Sequence, residues 1–381
     1  MKMPESSDAV VLWALREHGP LSRDELAKLT GLSLGTVNRH LAPLTASGIV
    51  VVTGYGISSG GRPPELFAYH GAGQLIAGVS VTDYGATVLV LTLDDQITQR
   101  HELTFSAADD PEARLRYTVD LLEKVISQAD GRLASIGVAV PGVVGSNGTV
   151  TAIHELGWDR LALGALLSRH AGGLPVTLSN DANCLAIAEH RRGAGRGIDN
   201  LVALVARNGL GAGLITNGQL YGGANQEAGE IGYLLTERAS LRRLFPERGE
   251  LEQRLGQARS HAAKALGVET DQVGLPSLIR LGRDNPTASD TADELLDLTA
   301  LAISAMCVVL DPELIILGGD GDAIGTAALI AGIRERLIGR ILRVPRLEPA
   351  ALGTDAIMIG AAYLSVSRLG HRNWLPTSLL G

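Results

Sequence analysis

The sequence predicts an α/β protein in which a small helical N-terminal domain precedes two larger α/β lobes. Before residue 50, apolar residues recur at helical spacing and are interrupted by Gly and Pro. From Gln74 onward, apolar strands alternate with amphipathic helices. At 381 residues the chain exceeds one typical core, so two or three domains are expected. We place them at residues 1–70, at 71–191 (a first lobe, completed by about 350–381) and at 192–349 (a second lobe).

Composition narrows the class of protein. A hydrophobic fraction of 45% with 19% charged residues is typical of a soluble globular protein. The sequence has neither a signal peptide nor an apolar run that could span a bilayer, so we expect a cytoplasmic protein with no membrane partner. Cys184 and Cys307 are interpreted as buried thiols in a reducing compartment.

Charge is unevenly distributed along the chain. The net charge is −8, but residues 1–64 hold six basic against five acidic residues, which makes them +1 and the remainder −9. Only the N-terminal domain is therefore expected to approach a phosphate backbone.

Three short helices are predicted in the N-terminal domain. An apolar run over residues 10–15 forms the first, which Gly19-Pro20 terminates. Ser22 and Glu25 have the spacing of a capping box that opens the second helix, and Gly31 ends it. Helix, turn and a further helix in this order indicate a helix-turn-helix.

The third helix has a face suited to reading DNA. Its buried face is predicted to be Val37, Leu41 and Leu44. Gly35 weakens this helix and Pro43 is expected to kink its second half. The side chains predicted to contact DNA from this helix are Ser33, Thr36, Asn38 and Arg39.

Two strands around a Gly-rich tip follow, at residues 49–52 and 66–69. The tip reads Gly60-Gly61-Arg62-Pro63, and a lone guanidinium can enter a narrow minor groove. The domain is therefore predicted to be a winged helix-turn-helix whose partner is double-stranded DNA, with Arg62 as a further contact. The alternative is a three-helix packing module with a flexible linker.

The remaining pattern predicts two similar lobes with a ligand cleft between them. Strands 75–81 and 87–93 should form a hairpin around Asp83-Tyr84-Gly85. The other predicted strands are 135–140, 176–178, 201–205, 211–216 and 314–317, and the predicted helices are 111–127, 161–170, 182–191, 291–310 and 355–369.

Polar motifs punctuate the region between residues 178 and 233. An apolar strand ends in Asn180-Asp181, and Glu230 follows a Gly-rich approach. Amides and carboxylates that converge on one cleft suit a polyhydroxylated ligand, because each sugar hydroxyl both donates and accepts hydrogen bonds. The alternative for Asn180-Asp181 is a turn with a helix N-cap.

These motifs jointly resemble the ROK family of sugar kinases and sugar-responsive repressors. The matching stretches are Val140-Pro141-Gly142, Leu156-Gly157-Trp158, Asn180-Asp181-Ala182-Asn183, Ala228-Gly229-Glu230-Ile231-Gly232, Gly249-Glu250-Leu251-Glu252, Asp311-Pro312-Glu313 and Gly318-Gly319. The resemblance implies a two-lobed actin-like, ribonuclease H-type sugar kinase fold behind the winged helix. In that family, an N-terminal winged helix ending in Gly-Gly-Arg-Pro distinguishes repressors from kinases.

The resemblance also implies a sugar site. Its residues are Asn180, Asp181, Glu230 and Glu252, with Gly142 as a backbone contact and Tyr233 where the family usually has His. No cysteine lies in residues 242–251, where the family carries its zinc loop, so we expect no zinc and no other cofactor. This loop is expected to be stabilised by packing around Leu241, Leu244 and Phe245, and Trp158 is expected in the core.

Asp181 matches the family's catalytic base, but the family's phosphate-binding motifs are not retained. Aligned without gaps, the first phosphate motif falls on residues 80–84, where Ser80 replaces its aspartate. Arg207-Asn208 replaces a Gly-Thr pair in the second phosphate loop, and the glycines of 209–213 are interpreted as strand–helix packing positions. We therefore expect a vestigial kinase fold without enzymatic activity.

The expected function is a transcriptional regulator, most simply a repressor of carbohydrate genes, that responds to a sugar or sugar-phosphate effector. It is expected to bind operator DNA as a homodimer or homotetramer. The alternatives are a ROK-type sugar kinase with an appended DNA-binding domain, and a carbohydrate-binding protein that docks a phosphotransferase component.

Overall fold

The computed structural model describes residues 7–46, 48–57, 63–70, 73–151, 156–206, 209–245, 248–268, 270, 273, 285–318 and 327–367. The N-terminal domain consists of helices α1 (Ser7–His18), α2 (Arg23–Thr30) and α3 (Leu34–Ala46) and strands β1 (Val50–Tyr55) and β2 (Glu65–Tyr69). β1 and β2 pair antiparallel, and Leu21 forms a bridge with Phe67 that adds a third extended segment. This is the predicted winged helix-turn-helix.

The capping signals of the N-terminal domain are present as predicted. The Ser22 hydroxyl accepts a hydrogen bond from the Glu25 backbone N–H (3.3 Å), and the Glu25 carboxylate accepts one from the Ser22 N–H (2.7 Å). Gly31 ends α2 with φ 71°, in the left-handed conformation that glycine adopts without strain. α3 continues through Pro43 as one helix and buries Val37, Leu41 and Leu44.

The first lobe is built on a five-stranded sheet of order β5-β4-β3-β6-β9. β3, β6 and β9 are parallel, whereas β4 and β5 are antiparallel to their neighbours. The elements of this lobe are β3 (Leu75–Thr82), β4 (Gly85–Thr92), β5 (Ile97–Thr104), α4 (Pro111–Gln128), β6 (Leu133–Val140), the short pair β7 (Val143–Val144) and β8 (Val150–Thr151), α5 (Leu163–His170), β9 (Val176–Asn180) and α6 (Asp181–Arg192).

The second lobe repeats the same topology in a sheet of order β12-β11-β10-β13-β14. In both sheets a three-stranded antiparallel meander is followed by two parallel strands, which is the duplicated arrangement of actin-like folds. The elements are β10 (Leu201–Ala206), β11 (Leu210–Thr216), β12 (Gln219–Leu220), α7 (Glu250–Leu266), α8 (Pro286–Leu310), β13 (Leu314–Gly318), α9 (Ala327–Leu337) and β14 (Arg346–Pro349), followed by α10 (Ala356–Ser367).

Helices α6 and α10 lie between the two sheets and pack against each other. A Cβ atom on Gly360 would lie 1.8 Å from the carbonyl oxygen of Cys184, so only glycine permits this helix contact. α6 packs on the second sheet, where a Cβ on Gly213 would lie 2.1 Å from the Ala182 carbonyl oxygen. α10 packs on the first sheet, where a Cβ on Gly137 would overlap the carbonyl oxygen of Ala361. The pair therefore connects the lobes.

Most elements fall where the sequence predicts them, but β5, β12, α7, α9 and β14 were not predicted. β5 has no apolar alternation to reveal it, since its eight residues alternate only between exposed and half-buried. α8 begins before the predicted start because Asn285 caps it, its side chain accepting from the Ala288 N–H at 3.1 Å, and Pro286 occupies its first turn. No helix within the described ranges is long and apolar enough to cross a membrane.

Candidate functional site

The side chain of Asn180 joins β9, α6 and the segment after β6. Its Oδ1 accepts hydrogen bonds from the backbone N–H groups of Ala182 (2.8 Å) and Asn183 (3.3 Å), which makes it the N-cap of α6. Its Nδ2 donates to the carbonyl oxygen of Gly142 at 3.0 Å. Gly142 has φ 82°, which a residue with a side chain rarely adopts. The predicted N-cap is therefore present, and these bonds orient the first turn of α6.

The first turn of α6 presents two buried polar side chains. Asp181, the first residue of the helix, is buried, and its Oδ1 accepts from the Ala182 N–H at 2.8 Å. Asn183 is only 7% exposed, and its Oδ1 has no hydrogen-bond partner in the described part of the chain. A buried amide oxygen without a partner is costly unless a ligand or water supplies a donor. Asn183 lies within the predicted Asn180-Asp181-Ala182-Asn183 motif, but no role was predicted for its side chain.

Gly229 brings Glu230 against the second sheet. It has φ 96°, and its carbonyl oxygen accepts from the Ala212 N–H in β11 at 2.9 Å. A Cβ at position 229 would lie 1.8 Å from the carbonyl oxygen of Ala212, so no other residue allows this approach. Because the N-terminal turn of α6 packs on the same strand, Glu230 and Asp181 face a common region.

The N-terminus of α7 contributes Glu252 to this region. Gly249 precedes the helix, and a Cβ there would lie 2.1 Å from the carbonyl oxygen of Gly232. Glu252 lies beside Gly209, where a Cβ would approach its Oε1 to 2.9 Å. The Arg248 guanidinium lies 3.9 Å from the same oxygen. Neither Arg248 nor Glu227 was predicted from the sequence to belong to the site.

Four carboxylates influence one another here. Burial raises the pKa of Glu230 to about 7, and the nearby charges of Asp181, Glu252 and Glu227 add to this rise. Burial also raises the pKa of Tyr233, again with the neighbouring carboxylates Glu252, Glu230 and Glu227 contributing. Tyr233 remains 46% exposed, so its phenol lies at the rim of the cleft. Carboxylates that converge in this way can accept hydrogen bonds from the hydroxyls of a sugar.

The loop before α7 differs from the prediction. Leu241 is 72% and Leu244 is 92% exposed, so the expected packing around these side chains is wrong. The short 3₁₀ turn Arg238–Arg242 directs Ser240 inward instead. The loop is held by Thr236, whose backbone N–H and hydroxyl both donate to Glu250 at 2.6 Å. Although burial alone would raise it, these hydrogen bonds hold the pKa of Glu250 below its ordinary range.

Part of the predicted phosphate motifs lies within the described residues. Asp83 and Tyr84 form the two-residue turn between β3 and β4, as predicted, with Thr82 paired to Gly85. Gly213 packs against α6 in agreement with the interpretation of the glycines. Arg207 and Asn208 lie outside the described residues. Within the described ranges, no group of three His, Cys, Asp or Glu side chains is arranged to hold a metal ion.

Trp158 is a core residue, as expected. Its indole is buried, and its Nε1–H donates to the carbonyl oxygen of Pro111 at 3.1 Å. Cys184 is buried as expected, while Cys307 is only half-buried.

The predicted DNA-contacting residues lie on one end and face of α3. Asn38 and Arg39 are exposed, opposite the buried Val37 and Leu41. Ser33 caps the helix by accepting from the Thr36 N–H at 3.1 Å, and the two hydroxyls are 2.9 Å apart. Arg62 lies outside the described residues. In helix-turn-helix proteins, the second helix of the motif enters the major groove with polar residues near its N-terminus. α3 is that helix here, and its exposed polar face has this position.

Two family models match the chain. The ROK family model matches residues 77–368, and a winged helix-turn-helix DNA-binding model matches residues 7–51. The two matches correspond to the two-lobed part and to the N-terminal domain of the structure.

Two xylose repressors are similar to this chain, one over nearly its whole length and one over part of it. The xylose repressor of Bacillus spizizenii is 24% identical over 94% of this chain and 94% of its own length. The xylose repressor of Caldicellulosiruptor bescii is 31% identical over 59% of this chain, and the match spans 57% of that relative, a little over half of its length.

Solved structures share the fold. A ROK family transcriptional regulator, a homolog of the E. coli MLC protein, covers 96% of this chain and 95% of its own, with a TM-score of 0.75 and 22% identity. A ROK family glucokinase from Streptomyces griseus, solved with glucose and AMPPNP, covers 77% of this chain and 99% of its own, with a TM-score of 0.63 and 24% identity.

Proposed function

The chain belongs to the ROK family, and we propose that it is a sugar-responsive repressor that binds operator DNA. One observation carries this proposal: a winged helix-turn-helix precedes the ROK domain, and a relative named a xylose repressor aligns over 94% of both chains. That alignment includes both parts, whereas the glucokinase match covers 77% of this chain. A protein with both parts can couple a ligand site to DNA.

We propose that the effector is an uncharged sugar. Asp181, Glu230 and Glu252 surround the cleft, and each carboxylate can accept hydrogen bonds from sugar hydroxyls. Asn183 Oδ1 can accept one more. A phosphate group would meet the repulsion of these carboxylates, and the nearby Arg248 already lies beside Glu252. The charge of the site therefore favours a sugar over its phosphate ester.

The proposed mechanism is linkage between the cleft and the DNA-binding domain. A sugar that binds between the lobes stabilises one lobe arrangement, and the arrangement sets the separation of two winged helices in a homodimer or homotetramer. Operator half-sites lie about one helical turn apart, so a changed separation weakens DNA binding. Operator binding also requires a cytoplasmic location.

The proposal is tested by titrating a labelled fragment of the native promoter with the protein at fixed salt. The titration is repeated with xylose, glucose and glucose 6-phosphate. We expect one uncharged sugar to weaken DNA binding and glucose 6-phosphate to have no effect. Asp181→Ala should bind the fragment like wild type but need more than tenfold more sugar for release, since a charge-assisted hydrogen bond contributes about 1.5–3 kcal/mol.

Asp159→Ala, which removes an exposed carboxylate of the same lobe, serves as the control and should respond like wild type. Absence of DNA binding by the wild-type protein would refute the repressor proposal. An unchanged sugar midpoint in Asp181→Ala would place the effector elsewhere.

A further inference from the structure

A fully buried carboxylate lies at the far end of α6 from the candidate sugar site. Glu189 has 0% exposure, and both of its oxygens accept hydrogen bonds from backbone N–H groups. Oε2 accepts from Ala194 at 2.8 Å, and Oε1 accepts from Leu352 at 2.9 Å. The Glu189 carbonyl oxygen also accepts from Gly193 and Gly195, each at 3.0 Å. One residue thus satisfies four backbone donors.

The two segments held by this carboxylate are distant in sequence and lead to different parts of the molecule. Ala194 belongs to the connection from α6 to β10 of the second sheet. Leu352 belongs to the connection from β14 of the second sheet to α10, which packs on the first sheet. Glu189 therefore joins the two connections beside the helix pair α6–α10, which links the lobes.

A buried carboxylate is an expensive way to hold a loop, because its charge must be removed from water. A backbone turn or an amide side chain would serve for one connection alone. Two N–H donors from separate connections, each aligned with one oxygen, use both acceptors of the group. This arrangement indicates that Glu189 holds the two connections in a fixed position relative to each other.

We propose that Glu189 is a positioning residue that transmits effector binding from the cleft to the rest of the molecule, an inference that rests on the proposed function. Asp181 and Glu189 lie eight residues apart on one helix, which is about 12 Å along its axis. A movement of the N-terminal turn of α6 on sugar binding is therefore carried by a rigid helix to the connection that leads into α10.

The end of α6 also touches the first lobe near the N-terminal domain. Arg192 Nη1 donates to the carbonyl oxygen of Asp95, in the turn between β4 and β5, at 2.8 Å. Leu93, just before this turn, belongs to one contiguous cluster of buried apolar residues with Leu15 and Tyr69 of the N-terminal domain and with buried residues of α6 and α10. A shift at this end of α6 can thus reach the DNA-binding domain through packed side chains.

Two variants disturb the hydrogen bonds of the Glu189 carboxylate in different ways. Glu189→Gln keeps the shape but directs an NH₂ group at one of the two backbone donors, so one hydrogen bond is lost and the side chain no longer holds the two connections together, which should expose both amides. Gly193→Ala leaves Glu189 intact, but the new Cβ would lie 1.9 Å from Oε2 and displaces the carboxylate. Gly193 has φ −105° and ψ −146°, outside the extended region that alanine prefers, so this variant is also expected to lose some stability. Matched controls are Glu123→Gln, an exposed carboxylate, and Gly256→Ala, where a Cβ meets no atom within 4 Å.

Three measurements are made on the full-length variants: amide hydrogen exchange at residues 194 and 352, sugar affinity by calorimetry, and operator affinity with and without the sugar. In both variants we expect faster exchange at both amides, sugar affinity within twofold of wild type, and an effector-induced change in operator affinity reduced at least fivefold. The controls should match wild type. A merely structural role would lower thermal stability and leave the ratio of operator affinities unchanged.

Unchanged exchange at either amide, or a wild-type ratio of operator affinities in a folded variant with altered exchange, would overturn the proposal. If the operator affinity of the wild-type protein does not change with any sugar, the proposed sugar response is refuted. The hydrogen-exchange data then test the role of Glu189 alone. Simultaneous loss of protection at residues 194 and 352 supports the proposal that Glu189 holds the two connections together. Independent behaviour of the two amides refutes it. Gly193→Ala decides the matter if Glu189→Gln does not fold.

Discussion

At the scale of single residues, Glu230 shows how a binding site opposes stability. Its carboxylate is surrounded by Asp181, Glu227 and Glu252, and burial raises its pKa to about 7 from an ordinary value of 4.5. Such a group is unfavourable in the empty folded protein when charged. Hydrogen-bond donors from a ligand would relieve part of this cost, since they stabilise the charged form.

The pH dependence of stability follows from this shift. Between about pH 4.5 and 7 the folded protein holds a proton on Glu230 that the unfolded chain has released, so the free energy of unfolding falls as the pH rises through this window. We predict that Glu230→Gln removes this fall and is more stable than wild type by roughly 1–3 kcal/mol at pH 8, with little difference at pH 4.5. Urea unfolding at pH 4.5, 6 and 8 measures it.

Glu227→Gln is the control, because that side chain is exposed. It should change the pH profile far less than Glu230→Gln. Equal stability of Glu230→Gln and wild type at pH 8 would show that Glu230 titrates normally.

At the scale of elements, the contact between α6 and β11 depends on the absence of side chains. We predict that Gly213→Ala destabilises the protein by at least 1–3 kcal/mol, because its Cβ would lie 2.1 Å from the backbone oxygen of Ala182, which cannot move without shifting the helix. Chemical denaturation measures the loss. Gly256→Ala, with open space around its Cβ, should be neutral or stabilising. Similar midpoints for the two variants would mean that α6 and β11 are farther apart.

The recognition helix is the second element that can be tested. Arg39 is exposed on α3, and its replacement by Ala should weaken operator binding by roughly 1–3 kcal/mol if it contacts a base edge. Arg62→Ala should have a comparable effect, since the sequence predicts that this residue enters the minor groove. Arg160→Ala removes an 84% exposed guanidinium of the first lobe and controls for net charge. Anisotropy titrations at matched salt that are unchanged in both variants would refute the assignment of Arg39 and Arg62 as DNA contacts.

Sequence patterns predicted the elements whose determinants are local. The capping box of Ser22 and Glu25 and the buried face of α3 are encoded within a few residues, and both are present. The prediction that Leu241 and Leu244 pack inside the loop was wrong, because their exposure depends on the direction in which a short 3₁₀ turn points each side chain. The partnership of Glu189 with Leu352 joins residues 163 positions apart, and no local pattern carries that information.

At the scale of the whole molecule, the same strand order occurs twice, and the glycine-mediated contacts of Gly137, Gly213 and Gly360 connect the repeats through α6 and α10. A fold of this kind can move its lobes relative to each other while each sheet stays intact. Kinases and regulators share this fold: the solved glucokinase covers 77% of this chain, and the solved transcriptional regulator covers 96%. Whether the cleft performs chemistry is therefore decided by its own residues.

The last prediction is that the protein transfers no phosphoryl group from ATP to xylose or common hexoses. Asp181 could serve as the base, but phosphoryl transfer depends chiefly on positioning the phosphates and their metal ion. The ungapped alignment predicts Ser80 in place of the aspartate of the family's first phosphate motif, and the carboxylates around Glu230 add charge that repels a triphosphate. A coupled assay for ADP, run with each sugar at millimolar concentration, should give the same rate with and without sugar. Sugar-dependent ADP release that disappears in Asp181→Ala, with Asp159→Ala fully active, would instead establish a kinase with an appended DNA-binding domain.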